Sequence, residues 1–180
     1  MNPVAVWVVR GGNNNELASQ VKSKHAVAIG WSSVGDVSKI ASRDELRAAM
    51  EAAEPGSGTP GAVGQLYRFA RKINASDYIL TPEKITAEIH ISKCAGPYKY
   101  DPSVFGSDYP HIRPDEYFKA APRKHFTQTV RNTLGSTLTV FRADIALPYI
   151  EAFLGQGPVI PTGESEGPIE AGVWADDIDG

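Results

Sequence analysis

Rings and cations gather in the segment Gly96 to Pro114, GPYKYDPSVFGSDYPHIRP. Tyr98, Tyr100, Phe105 and Tyr109 stand there among Lys99, His111 and Arg113. Flat side chains beside positive charge make a surface on which a planar ligand such as a nucleobase can stack. Prolines at 97, 102, 110 and 114 exclude a helix through most of the segment and interrupt a sheet ladder. The plain alternative is a proline-rich loop whose rings fold back onto the core. Three other features carry binding chemistry. Arg10-Gly11-Gly12 ends an apolar run, or is simply a turn. Trp31 follows Gly30, where the backbone can approach a neighbour closely; otherwise it is a core tryptophan. Gln65, Tyr67 and Arg68 lie on one helical stretch, whose alternative is a solvated face.

Catalytic signatures are missing from the sequence. Gly56-Ser-Gly58-Thr-Pro-Gly61 matches GxGxxG by letter, but it follows a helical pattern rather than a strand, so a dinucleotide role is not expected. There is no GxxxxGK[ST] and no GxSxG. His25, His90, His111 and His125 show no metal-type spacing, and His90 reads as a surface or hydrogen-bonded residue. Cys94 is the only cysteine, which excludes an internal disulfide and a cysteine zinc site. Glu83-Lys84 lacks the preceding acid and the Glu-x-Lys spacing that would hold Mg²⁺ for phosphodiester cleavage. The chain therefore reads as a binder without metal or cofactor, not as an enzyme.

The elements that must hold these residues follow from periodicity. Val4 to Arg10 and Ala26 to Trp31 read as buried strands. Between them, the asparagines at 13–15 offer caps to a short helix with Leu17, Ala18 and Val21 on its apolar face. Ser42-Arg-Asp-Glu45 fits a capping box opening a helix to about Glu54. Pro60 suits the first turn of another, whose core face is Val63, Leu66, Phe69, Ala70 and Ile73. Asp77 to Thr81 is a strand. Ile85, Ala87, Ile89 and Ile91 alternate with polar residues as a half-buried strand. Further strands are expected at His111 to Ala120 and Thr137 to Arg142. A helix is expected at Thr127 to Leu134, closed by Gly135, and another from an Asp144 cap to Leu154, with Pro148 in its first turn. Strands at both ends with helices between favour an α+β fold built on an irregular small β-barrel with flanking helices.

The length of 180 residues suits one domain, read here as residues 1–154, followed by an acidic Gly/Pro-rich linker at 155–180. Residues 151–180 contain seven acids and no Lys or Arg, although the whole chain is only at −3. The body is thus mildly basic, which is compatible with nucleic-acid binding. No apolar run approaches a membrane span, and no basic region precedes the first apolar run, so the default compartment is the cytoplasm.

Taken in order, WVVRGG, AVAIGW, the SRDEL helix, GQLYRFA, YKYDP, HIRP, PRKHF and LGSTLTVF resemble the N-terminal domain of Mrr-like restriction endonucleases of bacteria. That domain is similar to the PUA-like group, alongside EVE and YTH domains, and the resemblance covers about residues 4–150. It implies a PUA-like barrel that binds DNA, probing for a modified, flipped-out base with an aromatic pocket. Trp31, Tyr98 and Tyr100 would wall the pocket, His111 would bond a base edge, and Arg10, Lys99 and Arg113 would hold adjacent phosphates. The linker would lead to a tethered endonuclease domain. Two departures stand out: Ser76-Asp77 replaces Gly-Asp, and Asp115 replaces a hydrophobic residue, placing a carboxylate near the expected DNA face. Rival readings are a small-molecule or nucleotide sensor, and a homodimerisation module swapping residues 151–180.

Overall fold

A computed structural model describes residues 3–12 and 15–155, so the expected linker after Gly155, Asn13 and Asn14 lie outside the described residues. The fold is mixed α+β, a strongly curled half-barrel sheet with helices on both faces. The sheet order is β2-β6-β4-β3-β1-β7, with a two-residue strand β5 also on β6. These are β1 (Val6–Val9), β2 (Ala26–Ile29), β3 (Tyr78–Glu83), β4 (Glu88–Cys94), β5 (Lys99–Tyr100), β6 (His111–Pro122) and β7 (Val140–Arg142). Among the described residues no helix is long and apolar enough to cross a membrane, and no group of three or more His, Cys, Asp or Glu could hold a metal ion.

β1 explains its own sequence. It lies inside the sheet, parallel to β3 and antiparallel to β7, and both of its faces are buried. A strand covered on both sides needs an unbroken apolar run, here VWVV. Side-chain alternation then sends Trp7 and Val9 into one core and Val6 and Val8 into another. The first core is roofed by α2 (Arg43–Ala53) and α3 (Pro60–Tyr67), through Leu46, Met50, Val63 and Leu66. The second is closed by α5 (Gln128–Leu134) and α6 (Leu147–Phe153), through Val130, Leu134 and Ile150. A short helix α1 (Val21–Lys24) precedes β2, and α4 (Pro102–Phe105) lies in the loop before β6.

β6 bends the sheet. Its first residues pair with β2, from Ile29 opposite His111 to Ala26 opposite Pro114. From Asp115 onward it pairs with β4, with a register irregularity at Ile91/Ser92. The strand therefore continues through Pro114, where a ladder break was expected. The proline lies at the change of partner, a place where one missing N–H donor is tolerated.

The starts of α2 and α3 behave as their sequence indicates, whereas the short helical turns at Ala18–Gln20 and Val21–Lys24 have Leu17 and Gln20 at their caps rather than an asparagine. Ser42 Oγ accepts the Glu45 N–H at 3.2 Å, while Glu45 reaches back to the Ala41 N–H at 3.0 Å, one residue before the expected capping-box partner. Thr59 caps α3, and Pro60 stands in its first turn. The helix then widens into a π-turn, Arg68–Lys72, a local rearrangement frequent at functional sites. Asp144 does not cap the last helix. Its carboxylate accepts the Val6 N–H at 2.9 Å and pairs with Arg142, so it stitches β1 instead. The alternation expected from Ile85 fails as well: residues 84–87 form the β3–β4 turn, and Ile85 is 96% exposed.

Both sequence departures acquire a physical meaning. Ser76 has φ 77°, the left-handed region that costs a side chain and favours glycine. Asp77 beside it is buried and accepts the Ala5 N–H, the Trp7 indole N–H and the Asn74 N–H, which ties β1 to the start of β3. Asp115 is 5% exposed and lies inside the fold rather than on a DNA face. Neither of its oxygens has a well-formed partner. Burial pushes its pKa from 3.8 to about 6, and the Ser92 hydroxyl and His25 offset this only in part.

Ser76→Gly is expected to raise stability by about 1 kcal/mol in urea denaturation, by relieving the left-handed strain. No gain there would mean that Ser76 is not strained. For Asp115 the folded state holds the proton more tightly than the unfolded chain. Its contribution is therefore fully present below pH 3.8 and is lost as pH rises toward 6. Asp115→Asn should stabilise by roughly 2 kcal/mol at pH 8 and by little at pH 3.5; an equal effect at both pH values would contradict the assignment.

Candidate functional site

Three of the expected site residues, Trp31, Tyr98 and Tyr100, meet around one buried imidazole. His111 opens β6 and is 0% exposed. Its Nε2 lies 3.0 Å from the Trp31 carbonyl, and its Nδ1 lies 2.6 Å from the Tyr98 hydroxyl. A carbonyl can only accept, so Nε2 carries the proton and Nδ1 accepts from Tyr98 O–H. Burial lowers the His111 pKa, which keeps this neutral tautomer. The Tyr98 oxygen also receives the Val37 N–H at 3.4 Å, and burial pushes its phenol up to about 12. Tyr98 therefore remains a proton donor to His111 and is not a nucleophile.

What this chain holds is strained. Trp31 has φ 55°, and a bulky residue in the left-handed region is uncommon. The indole is half-buried, packing partly on the first core. It lines a hollow of about 150 Å³ together with Arg10, Gly12, Gly30, Tyr109 and Thr139. Gly12 has φ 77°, and a Cβ there would stand 3.0 Å from the Tyr109 oxygen and 2.9 Å from Glu16 Cγ. Glycine thus leaves room for the Tyr109 hydroxyl to donate to Glu16 at 2.6 Å. Arg10 is tied back by Nη1 to the Ser136 carbonyl at 2.7 Å.

Tyr98 belongs to a second and larger hollow, of about 480 Å³, on the other side of His111. The π-turn residues Ala70 and Arg71 line it with Asn74, Pro97 and Arg113. The single aromatic pocket expected from sequence is therefore divided: Arg10 and Trp31 line one hollow, Tyr98 and Arg113 the other, and His111 lies between with both nitrogens occupied. Lys99 and Tyr100 are exposed on β5 and line neither, although the Tyr100 ring meets His111 edge-on at 5.8 Å.

Arg113 is a buried residue rather than a surface phosphate contact, at 4% exposure. Its guanidinium closes the end of the π-turn, donating to the Phe69 carbonyl at 3.3 Å and the Ile73 carbonyl at 2.6 Å. Gln65 is also structural: its side-chain oxygen accepts the Thr139 and Val140 N–H groups and locks α3 to β7. Tyr67 lies between Arg43 and Lys72. In the glycine loop the Gly56 and Gly58 N–H groups donate to the Glu51 carboxylate, each at 2.9 Å, and the Ser57 N–H to the Glu54 carbonyl, which leaves them unavailable to a phosphate. His90 is hydrogen-bonded on both sides, to Tyr117 at 2.9 Å and Glu83 at 3.0 Å. Arg71, Asn74 and Thr139 were not foreseen as site residues; the basic run at 68–72 was the available signal for Arg71.

A family model described as "Domain of unknown function (DUF8426)" matches residues 7–143, and the chain belongs to that family. No curated protein and no solved structure matches it.

Tyr98→Phe should leave the His111 Nδ1 acceptor and the Val37 N–H without their partner. The expected loss is about 1–3 kcal/mol with circular dichroism unchanged. An unchanged denaturation midpoint would show that the hydroxyl does not hold the imidazole.

Proposed function

We propose that this DUF8426 member is a non-catalytic DNA-recognition module with a PUA-like barrel, which takes one modified base into the hollow beside Trp31. The strained Trp31 carries the reading. A left-handed tryptophan, anchored through its carbonyl by a buried histidine and set beside an open hollow, is a costly arrangement for a ring that only fills a core. Arg10 and Tyr109 bring a cation and a second ring to the same hollow. Glu16 at the rim opposes a phosphate there but accepts well from a base amino group. Stacking on such rings contributes about 1–3 kcal/mol per base, against an extrusion cost of a few kcal/mol. The mildly basic body would supply the salt-dependent remainder. In this reading a nuclease domain is tethered beyond residue 155, and the module operates in the cytoplasm, as a monomer or a homodimer.

Binding is tested with duplexes carrying methylated, hydroxymethylated or phosphorothioate groups against plain DNA at low salt. One modified duplex should bind at least about tenfold tighter than the plain one. Trp31→Ala should weaken that binding about five- to hundredfold with the fold intact, and Trp31→Phe should retain most of it. Equal, negligible binding to all duplexes would end the proposal.

A further inference from the structure

The larger hollow has chemistry of its own. Its volume, about 480 Å³, falls in the range of small-molecule sites, roughly 300–1,000 Å³. No Asp or Glu is among its lining residues, whereas Arg71 and Arg113 both are. Arg113 spends Nη1 and Nη2 on the helix-end carbonyls and on the Cys94 sulfur, and its buried Nε has no partner. Among the described residues no carboxylate pairs with this guanidinium, and the partial negative charge of the helix end is what faces it. Arg71 is exposed and donates from Nη2 to the Ser38 and Ile40 carbonyls. Its Nε and Nη1 have no partner among the described residues.

A buried cation facing a hollow without acids favours an anion there, because an unpaired buried charge is expensive. Arg71 of the π-turn and Asn74 bring donors to the hollow, and the Arg113 charge on β6 lies behind them, which suits a doubly charged tetrahedral anion better than a flat carboxylate. Tyr98 and Pro97 offer a ring and an apolar ledge for whatever the anion is attached to. We propose that this hollow, between the π-turn and residues 96–98, binds a phosphate monoester whose organic part rests on Tyr98. Arg71 swings from the Ser38 and Ile40 carbonyls to grip the phosphate, and Arg113 supplies the fixed positive field behind it. The source is either a free nucleotide or the phosphorylated end of a strand. This proposal does not depend on base reading at Trp31.

Thermal denaturation of the full chain tests it with inorganic phosphate, adenosine, adenosine 5′-monophosphate, and a short single strand with and without a 5′-phosphate. A ligand that binds only the folded state raises Tm. The monophosphate, the phosphorylated strand or both should raise Tm by about 3 °C or more at millimolar concentration, while adenosine and the unphosphorylated strand do not. Which of the two gives the larger shift identifies the source. Arg71→Ala and Ser38→Glu, both at exposed positions, should each abolish the shift. Modification-dependent duplex binding, measured on the same variants, reports on Trp31 separately. The proposal is overturned if no phosphorylated probe shifts Tm, if adenosine does as well as its monophosphate, or if both variants keep the shift.

Discussion

The fold around both hollows depends on an imidazole that water never reaches. His111 joins three segments that are distant in sequence: β6, to which it belongs; the start of the 31–40 loop, through the Trp31 carbonyl; and the 96–98 segment, through Tyr98. Each nitrogen has one partner, and because the Trp31 carbonyl can only accept, a single neutral tautomer satisfies the set. A charge there would also meet the full cost of burial. One neutral imidazole is thus hydrogen-bonded to a residue lining each hollow, Trp31 of one and Tyr98 of the other.

Long-range polar ties of this kind recur at each joint of the sheet. Asp77 holds β1 to the turn before β3, Asp144 holds β1 near β7, Gln65 holds α3 to β7, and Arg113 closes the π-turn from β6. Each satisfies backbone groups that the curvature of the sheet or the end of a helix would otherwise leave unpaired, and unpaired buried donors are expensive. The apolar residues divide the molecule into its two cores, and these few side chains set the angles at which the pieces meet.

Local structure was largely legible in the sequence. The runs VWVV and AVAI are strands because they are buried on both faces, and Ser42 and Thr127 cap the helices that they precede. Ile85 misled because period-two alternation continued by chance across a turn, and Asp144 misled because its best donor was a strand amide 138 residues away. The site was legible by residue type but not by arrangement. Trp31, Tyr98 and His111 do come together, yet sequence does not say on which side of a strand a ring lies, so the two hollows were read as one. Arg113 looked like a surface cation because its partners, the carbonyls of Phe69 and Ile73, are 40 and more residues upstream.

The position of β6 also constrains how the chain reaches this form. It is the neighbour of both β2 and β4, and β1, near the start of the chain, is completed only by β7. The ladders β1–β3, β1–β7 and β2–β6 thus join residues made early to residues made late, which raises the contact order and slows folding. On the ribosome, β2 would wait for about 80 further residues before its partner strand emerges, with its apolar edge exposed throughout. A nascent chain of this design needs either shelter or speed of closure once its last strand appears.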